Sequence, residues 1–314
     1  MTTPYQALAH LLHLAQREPV PEDDLVLTGE DPVLPTNFLL GTAGAAVIAA
    51  AGVAAADLWY LRTGRRQRVA VDLCRAAVAL RSDHYCRVND APPQEPGSPI
   101  HGFYPTRDGR WIQLHCNFPH HRDGVLKLLQ CENDRDAVAR VIATSWDGLA
   151  LEDALTEAQL CAGLVRSRDE WMAHPHVQAV STLPLFDIVK IGDSPPEPLN
   201  EAGERPLSGI RVLDLTHVIA GPVGGRTLAE HGADVLRLKS PHRPRQLRLE
   251  IDSGHGKRSA QLDLRQDQDA AQLRALVQQA DVFSQGYRPG RPRLLTRSPC
   301  RAASGDCLRL LERL

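Results

Sequence analysis

LDLTHVIAGPVGGRTLAEHGADVLRLKSP, Leu213 to Pro241, constrains the fold more than any other stretch. An apolar run, a glycine-bearing turn, an amphipathic helix and a second apolar run describe one parallel strand pair joined by a helical crossover. A further helix, AAQLRALVQQA, and a further strand, DVFSQGY, follow. The expectation is an α/β fold whose C-terminal part is a parallel, Rossmann-like sheet built on IRVLDLT, DVLRLK and DVFSQGY. The helix is expected from about Gly221 to His231, and the Arg- and His-rich stretch after Lys239 is read as a loop. Dinucleotide-binding units carry G-x-G-x-x-G and an acid about 20 residues further on. Here the turn reads A-G-P-V-G-G, Ala220 to Gly225, and the second strand ends in Arg237, Leu238, Lys239 and Ser240. A cation at that place gives up the ribose contact, so an NAD-dependent oxidoreductase is the weaker alternative. What survives is a helix N-terminus whose backbone amides suit an anion. The competing reading is that Gly221, Gly224 and Gly225 only let the helix pack close to the sheet.

The rest of the chain divides by texture. Residues 1–90 form a helical segment. Met1 to Gln16 has leucines at helical spacing and stops at PVPEDD, and a second helix is expected from near Thr36 to RTG, with Gly64 in the left-handed closing position. RVAVDL alternates as a short strand, and AAVALRSDHY resumes helical spacing. After the Pro-rich joint NDAPPQEPGSP, residues 98–192 read as a small α+β domain. Its hairpin turns at Asp108-Gly109, its helices lie in HRDGVLKLLQC, DRDAVARVIATSW and LEDALTEAQLCAGLV, and Ser167 with Glu170 is spaced as a capping box. A polar linker, 193–206, leads to the Rossmann-like half-domain, 207–290, and an atypical tail, 291–314, follows. That tail shows no strand pattern, and only CLRLLERL suggests a helical turn.

Composition narrows the partners. With 36 basic and 38 acidic residues the net charge is −2, which offers no field for nucleic acid. The apolar stretch Gly41 to Leu61 is mostly Ala and Gly with Asp57 inside it, and is read as a buried, close-packed helix rather than a membrane span. Seven scattered cysteines without C-x-x-C spacing, and an N-terminus without a basic and apolar leader pattern, point to a reducing cytoplasm.

Three blocks, PLSGIRVLDLTHVIAGPVGGRTLAEHGADVLRLKSP, GKRSAQLDL and LVQQADVFSQGYRPG, resemble the family III CoA-transferases in order and spacing over Pro206 to Gly290. This family includes formyl-CoA, carnitine and bile-acid CoA-transferases and acyl-CoA racemases. AAGVAAADLWYLRTGRRQRVAVDL resembles the family's helix and R-x-x-T-G-x-G-Q-x-V-x-V strand, with Arg66 where glycine is usual, and GFYPTRDGRWIQLH and VRSRDEWMAHPHVQAV resemble its small domain. In an ordinary member these pieces follow the nucleotide-binding half; here they precede it.

The resemblance implies coenzyme A or acyl-CoA as substrate, a small carboxylate as acceptor and no metal. It implies a CoA cradle of Val218, Ile219 and Ala220, then Ser240, then Leu262, Asp263, Leu264 and Arg265, then Gly286, Tyr287 and Arg288. Lys239 stands where the family commonly has an acid, and Gly286 where it has asparagine. The family's nucleophile is an aspartate beyond a further strand, which attacks acyl-CoA. Nothing after Gly290 resembles that strand, Asp306 reads as a solvated loop acid, and the expectation is a chain cut short by a frameshift near Gly290, with no catalytic residue assigned and no turnover of its own. A non-catalytic CoA-binding or pairing subunit is the alternative. The expected partners are a second copy or another CoA-transferase chain, with no nucleic acid and no membrane. A sheet ending after three strands would leave an open edge, which predicts association.

Other candidates carry less. HCNFPHH, His115 to His121, reads as a strand end and polar loop rather than a metal site. Cys74 reads as a buried small hydrophobe rather than a nucleophile. Arg243, Arg245 and Arg248 suit either a phosphate clamp or a solvated loop face, and His217 either a ligand contact or a backbone-satisfied histidine.

Overall fold

The structure, a computed structural model, describes residues 2–93, 97–193, 199, 203–287 and 307–310. It separates into two compact units, Met1–Gln94 with Leu185–Leu314, and Glu95–Pro184.

In the first unit α1 (Pro4–Leu14) is started by a capping box between Thr3 and Gln6 and packs on α2 (Leu40–Thr63). Leu8, Leu12, Ala46, Ala49 and Val53 meet there over Leu25. Leu25 opens β1 (Leu25–Thr28), a strand hidden behind the Pro-rich PVPEDD in the sequence, which pairs in parallel with β2 (Val69–Asp72). Asp72 caps α3 (Leu73–Ala79), and α4 (Ser82–Tyr85) follows.

Helix α2 begins at Leu40 rather than near Thr36. The Asp31 carboxylate accepts from the amides of Gly41 and Thr42 at 2.9 and 2.8 Å, satisfying first-turn donors from a distance. At its other end Gly64 takes φ +70°, as the sequence predicts. The expectation of a buried helix needs correction. Gly41, Gly44, Ala45, Ala46 and Ala49 bury one face, whereas Val47 and Leu61 lie exposed on the other. This is the one described helix long and apolar enough to cross a membrane by length and composition. Cys74 is likewise exposed, not buried, because Leu73, Ala76 and Ala77 take the inward positions of α3.

The second unit has a three-stranded antiparallel sheet of β3 (Gly102–Pro105), β4 (Trp111–Leu114) and β5 (Ala162–Leu164), in the order β3-β4-β5. The hairpin turns at Gly109, φ +77°, as Asp108-Gly109 predicts. Against it pack α5 (Pro119–Leu129), α6 (Arg135–Ser145) and α7 (Gly148–Glu157), with Tyr104, Ile112, Leu114, Val125, Val138 and Ile142 at the centre. Strand β5 corrects the helical reading of LEDALTEAQLCAGLV. The helix stops at Glu157, Gln159 turns the chain at φ +57°, and Glu152 reaches back to accept from the Leu164 amide at 2.8 Å. Then α8 (Arg168–Ala173) carries the Ser167–Glu170 capping box, and α9 (Pro175–Val180) follows.

Returning to the first unit, β6 (Arg211–Leu215), α10 (Ala220–Glu230), β7 (Asp234–Lys239), α11 (Leu247–Asp252), β8 (Lys257–Gln261), α12 (Asp267–Gln278) and β9 (Val282–Gln285) form the α/β unit. The sheet order is β10-β9-β6-β7-β8, with β10 (Cys307–Leu310) antiparallel to β9 and the other pairs parallel. Three expectations change here. The Arg- and His-rich stretch holds α11, and KRSAQ is a strand. Beyond Lys257 its residues are exposed at the edge of the sheet, where no apolar alternation is required. The parallel sheet thus has four strands, not three. In the tail, Cys307–Leu310 is extended rather than helical, because the open side of β9 supplies backbone partners, Cys307 opposite Gln285 and Leu310 opposite Val282.

The two parts of this unit are joined by polar contacts across long sequence distances. Arg226 Nη1 lies 2.7 Å from Asp252 Oδ2 and 3.1 Å from Ser82 Oγ, Ser82 donates to Asp252 at 2.9 Å, and Arg248 lies 3.1 Å from Asp83.

Candidate functional site

The chain runs from β6 to β7 to β8 on one side and then crosses to β9 on the other side of β6. The carboxyl ends of β6 and β9 therefore flank the place where strand order reverses, the position at which open α/β sheets receive ligands. Every cradle residue expected from the sequence and described here lies in a loop or helix start following a parallel strand. Arg288 and Asp306 lie outside the described residues.

The floor of this site is a buried ion pair. Lys257 Nζ lies 2.8 Å from Asp214 Oδ2, both side chains are fully buried, and the ammonium also donates to the Pro222 carbonyl at 2.7 Å. Burial presses the Lys257 ammonium below its ordinary value, and Asp214 works against that. The other carboxylate oxygen of Asp214 accepts from the amide of Thr216 at 2.9 Å and from its hydroxyl. So Asp214 and Lys257 tie the end of β6, the first turn of α10 and the start of β8 into one knot.

That knot explains two of the glycines. A Cβ on Gly225 would sit 2.6 Å from Asp214 Oδ2 and 2.8 Å from Lys257 Nζ, and one on Gly221 would sit 2.3 Å from Thr216 Cβ. Both positions require a bare backbone for close helix–sheet approach, which favours the packing reading for Gly221 and Gly225. The anion reading rests on the backbone beside them. Val218 is held at φ +73°, an unfavourable conformation for a β-branched residue. Ile219, the residue at the cap of α10, is exposed and provides no side-chain cap to the first-turn amides.

Aromatic and charged groups frame the opening. The His217 and Tyr287 rings lie 5.5 Å apart, bridging the ends of β6 and β9, and the Arg243 guanidinium stands over the Tyr287 ring at 5.1 Å. Tyr287 is fixed by its amide donating to Gln285 Oε1 at 2.8 Å. Further along, Ser240 Oγ accepts from the His242 amide at 3.3 Å, and His242 Nε2 lies 3.0 Å from Asp263 Oδ2. Arg265 grips the same carboxylate with two bonds of 2.8 Å. These partners, Arg265 first and His242 next, hold the Asp263 carboxyl well below the usual range. Leu262 is buried and its amide donates to the Lys239 carbonyl, so it contributes to the sheet rather than to the opening.

Lys239 does have an acid beside it, though not in its own strand. Glu250 on α11 lies 2.7 Å from Lys239 Nζ and 3.3 Å from Arg245 Nε. Burial opposes the Glu250 charge, but Lys239, Arg237 and Arg245 together keep its carboxyl below the ordinary value. Of Arg243, Arg245 and Arg248, the second and third are engaged by Glu250 and Asp83, and Arg243 faces the site through Tyr287. His242 and the Asp214–Lys257 pair went unread in the sequence. HRPR and GKRS signal basic residues, but their partners are set by strand order.

In the second unit, His115 and His101 meet edge to face at 5.0 Å, and His120 and His121 lie 4.1 Å apart. Among the described residues no group of three or more His, Cys, Asp or Glu side chains is placed to hold a metal ion.

The chain is similar to known proteins over parts of its length. An acetyl-coenzyme A transferase of Hypoxylon pulicicidum is 31% identical over 207 residues, covering 61% of this chain and 35% of that protein. A formyl-CoA:oxalate CoA-transferase of Streptomyces coelicolor is 37% identical over 97 residues, covering 27% of this chain and 24% of that protein. A crystal structure of a CAIB/BAIF family protein from Brucella suis is 31% identical over 28% of this chain and 27% of its own, with a TM-score of 0.26. The matched stretch thus spans about a third of the Hypoxylon protein, 35%, and less of the others. The profile of CoA-transferase family III matches residues 25–187 and 207–301, which is most of the sequence in both units, and the chain belongs to that family.

Proposed function

We propose that the opening between the ends of β6 and β9 binds coenzyme A, and that the protein serves CoA transfer between an acyl-CoA and a small carboxylate. The observation that carries this reading is the family match extending through the strand-order reversal, where the uncapped start of α10 and the Tyr287–Arg243 stack offer amides for a phosphate and a flat face for a base. Residues 207–290 are assigned as the CoA-binding half and 98–192 as the family's small domain.

No described residue is assigned as the acyl-accepting carboxylate. Asp263 follows β8, and Arg265 and His242 occupy its oxygens. We therefore favour CoA binding without turnover by the chain alone, with activity on pairing with a second copy or another CoA-transferase chain, in the cytoplasm. Calorimetric titration with CoA and with NADH tests the binding. CoA should bind, and Tyr287→Ala should weaken it about tenfold, the worth of one stacked aromatic contact. Binding of NADH with none of CoA would favour the oxidoreductase reading instead. Turnover by the chain alone, with a hydroxylamine-trapped aspartyl adduct, would overturn the need for a partner.

A further inference from the structure

We propose that Cys161 and His121 form a thiol–imidazole nucleophile in the second unit, a site that takes an acyl thioester and carries the acyl group on sulfur. The Cys161 Sγ lies 3.4 Å from His121 Nε2, within the reach expected of a nucleophile and its base before substrate arrives. Both groups are fixed by the fold. Cys161 stands just before β5, where its carbonyl accepts from the His115 amide at 2.9 Å and locks it to the end of β4. His121 lies in the first turn of α5, begun at Pro119, with its ring against those of His120 at 4.1 Å and Phe118 at 6.2 Å.

Three other described thiols, Cys116, Cys131 and Cys74, differ from this one. Burial first, and the neighbouring Cys161 next, push the Cys116 thiol up to about 11. Burial also raises Cys131. Cys74 is exposed, but no histidine contact is found there among the described residues. Cys161 combines partial exposure with an imidazole partner.

The chemistry closes without an outside oxidant. With Nε2 unprotonated, His121 takes the proton from Sγ as sulfur bonds to the thioester carbonyl carbon. The tetrahedral intermediate then collapses, the bond from carbon to the departing sulfur breaks, and the leaving thiol takes the proton from the imidazolium. The products are S-acyl Cys161 and a free thiol, one thioester exchanged for another. The choice of a thioester as electrophile rests on the CoA reading above, but the activation of the thiol does not.

The test uses the whole chain and S-acetyl-N-acetylcysteamine, a thioester without the nucleotide, so that it succeeds or fails apart from CoA binding. Acetylation of each cysteine is followed by peptide mass spectrometry. Within one wild-type sample Cys161 should acetylate about tenfold or more faster than the more exposed Cys74, and His121→Gln should remove that advantage while leaving Cys74 unchanged. Far-UV circular dichroism checks that the variant folds, and the wild-type comparison needs no variant at all. Equal rates at Cys161 and Cys74, or an undiminished Cys161 rate in a folded His121→Gln protein, would overturn the proposal.

Discussion

Replacing Lys257 by methionine keeps nearly the same length and removes only the ammonium from beneath α10. Asp214 would then remain fully buried with Oδ2 unpaired, and the Pro222 carbonyl would lose its donor. Breaking a buried ion pair from one side costs about 3–5 kcal/mol, because the surviving charge has neither water nor partner. Domain stabilities lie at roughly 5–15 kcal/mol, so the loss is a large fraction of the total. The double variant Lys257→Met, Asp214→Asn provides the control. The side-chain amide oxygen that Asp214→Asn leaves in place can still accept from the amide and hydroxyl of Thr216, and no charge is stranded. Urea unfolding followed by circular dichroism should place the single variant about 3 kcal/mol or more below wild type, with the double variant recovering at least half of that deficit. A single variant within about 1 kcal/mol of wild type, or a double variant worse than the single, would refute the account of the pair.

Gly225→Ala should destabilise by about 2 kcal/mol, since its methyl would press between Asp214 and Lys257; the same urea titration measures it. Arg226→Met should cost about 3 kcal/mol by stranding the nearly buried Asp252, and hydrogen exchange should accelerate in residues 73–85. Acid titration of the second unit reports on Glu152, whose carboxyl is held below its ordinary 4.5, first by Arg166 and also by the Leu164 amide. The unfolded chain then binds the extra proton as pH falls below about 4.5, so this contribution is present above that value and is lost as pH falls through the folded one. Glu152→Gln should flatten that part of the stability–pH curve.

The parts of the fold that local chemistry dictates were legible in the sequence. Asp108-Gly109 marked the hairpin, Ser167 and Glu170 the capping box, and Gly64 the end of α2. Strand β8 escaped because an edge strand fixed by its pairing with β7 needs no apolar alternation, and KRSAQ has none. Strand β5 escaped because three residues cannot establish a period, and their place is set by β4. At the candidate site the loop residues were legible through family resemblance, whereas what lies beneath them was not. Asp214 and Lys257 are 43 residues apart, and only the parallel order of β6, β7 and β8 brings an ordinary strand aspartate and the lysine that opens β8 into one dry contact.

The contact of Ser82 with Asp252 bridges 170 residues, and the whole of Glu95–Pro184 is made in between. On a ribosome adding about 5–20 residues per second, the first helices wait roughly ten to thirty seconds for the segment that completes their body, while the intervening unit can already be folding. Vectorial synthesis therefore leaves α3 and α4 as the part of the nascent protein most in need of a chaperone.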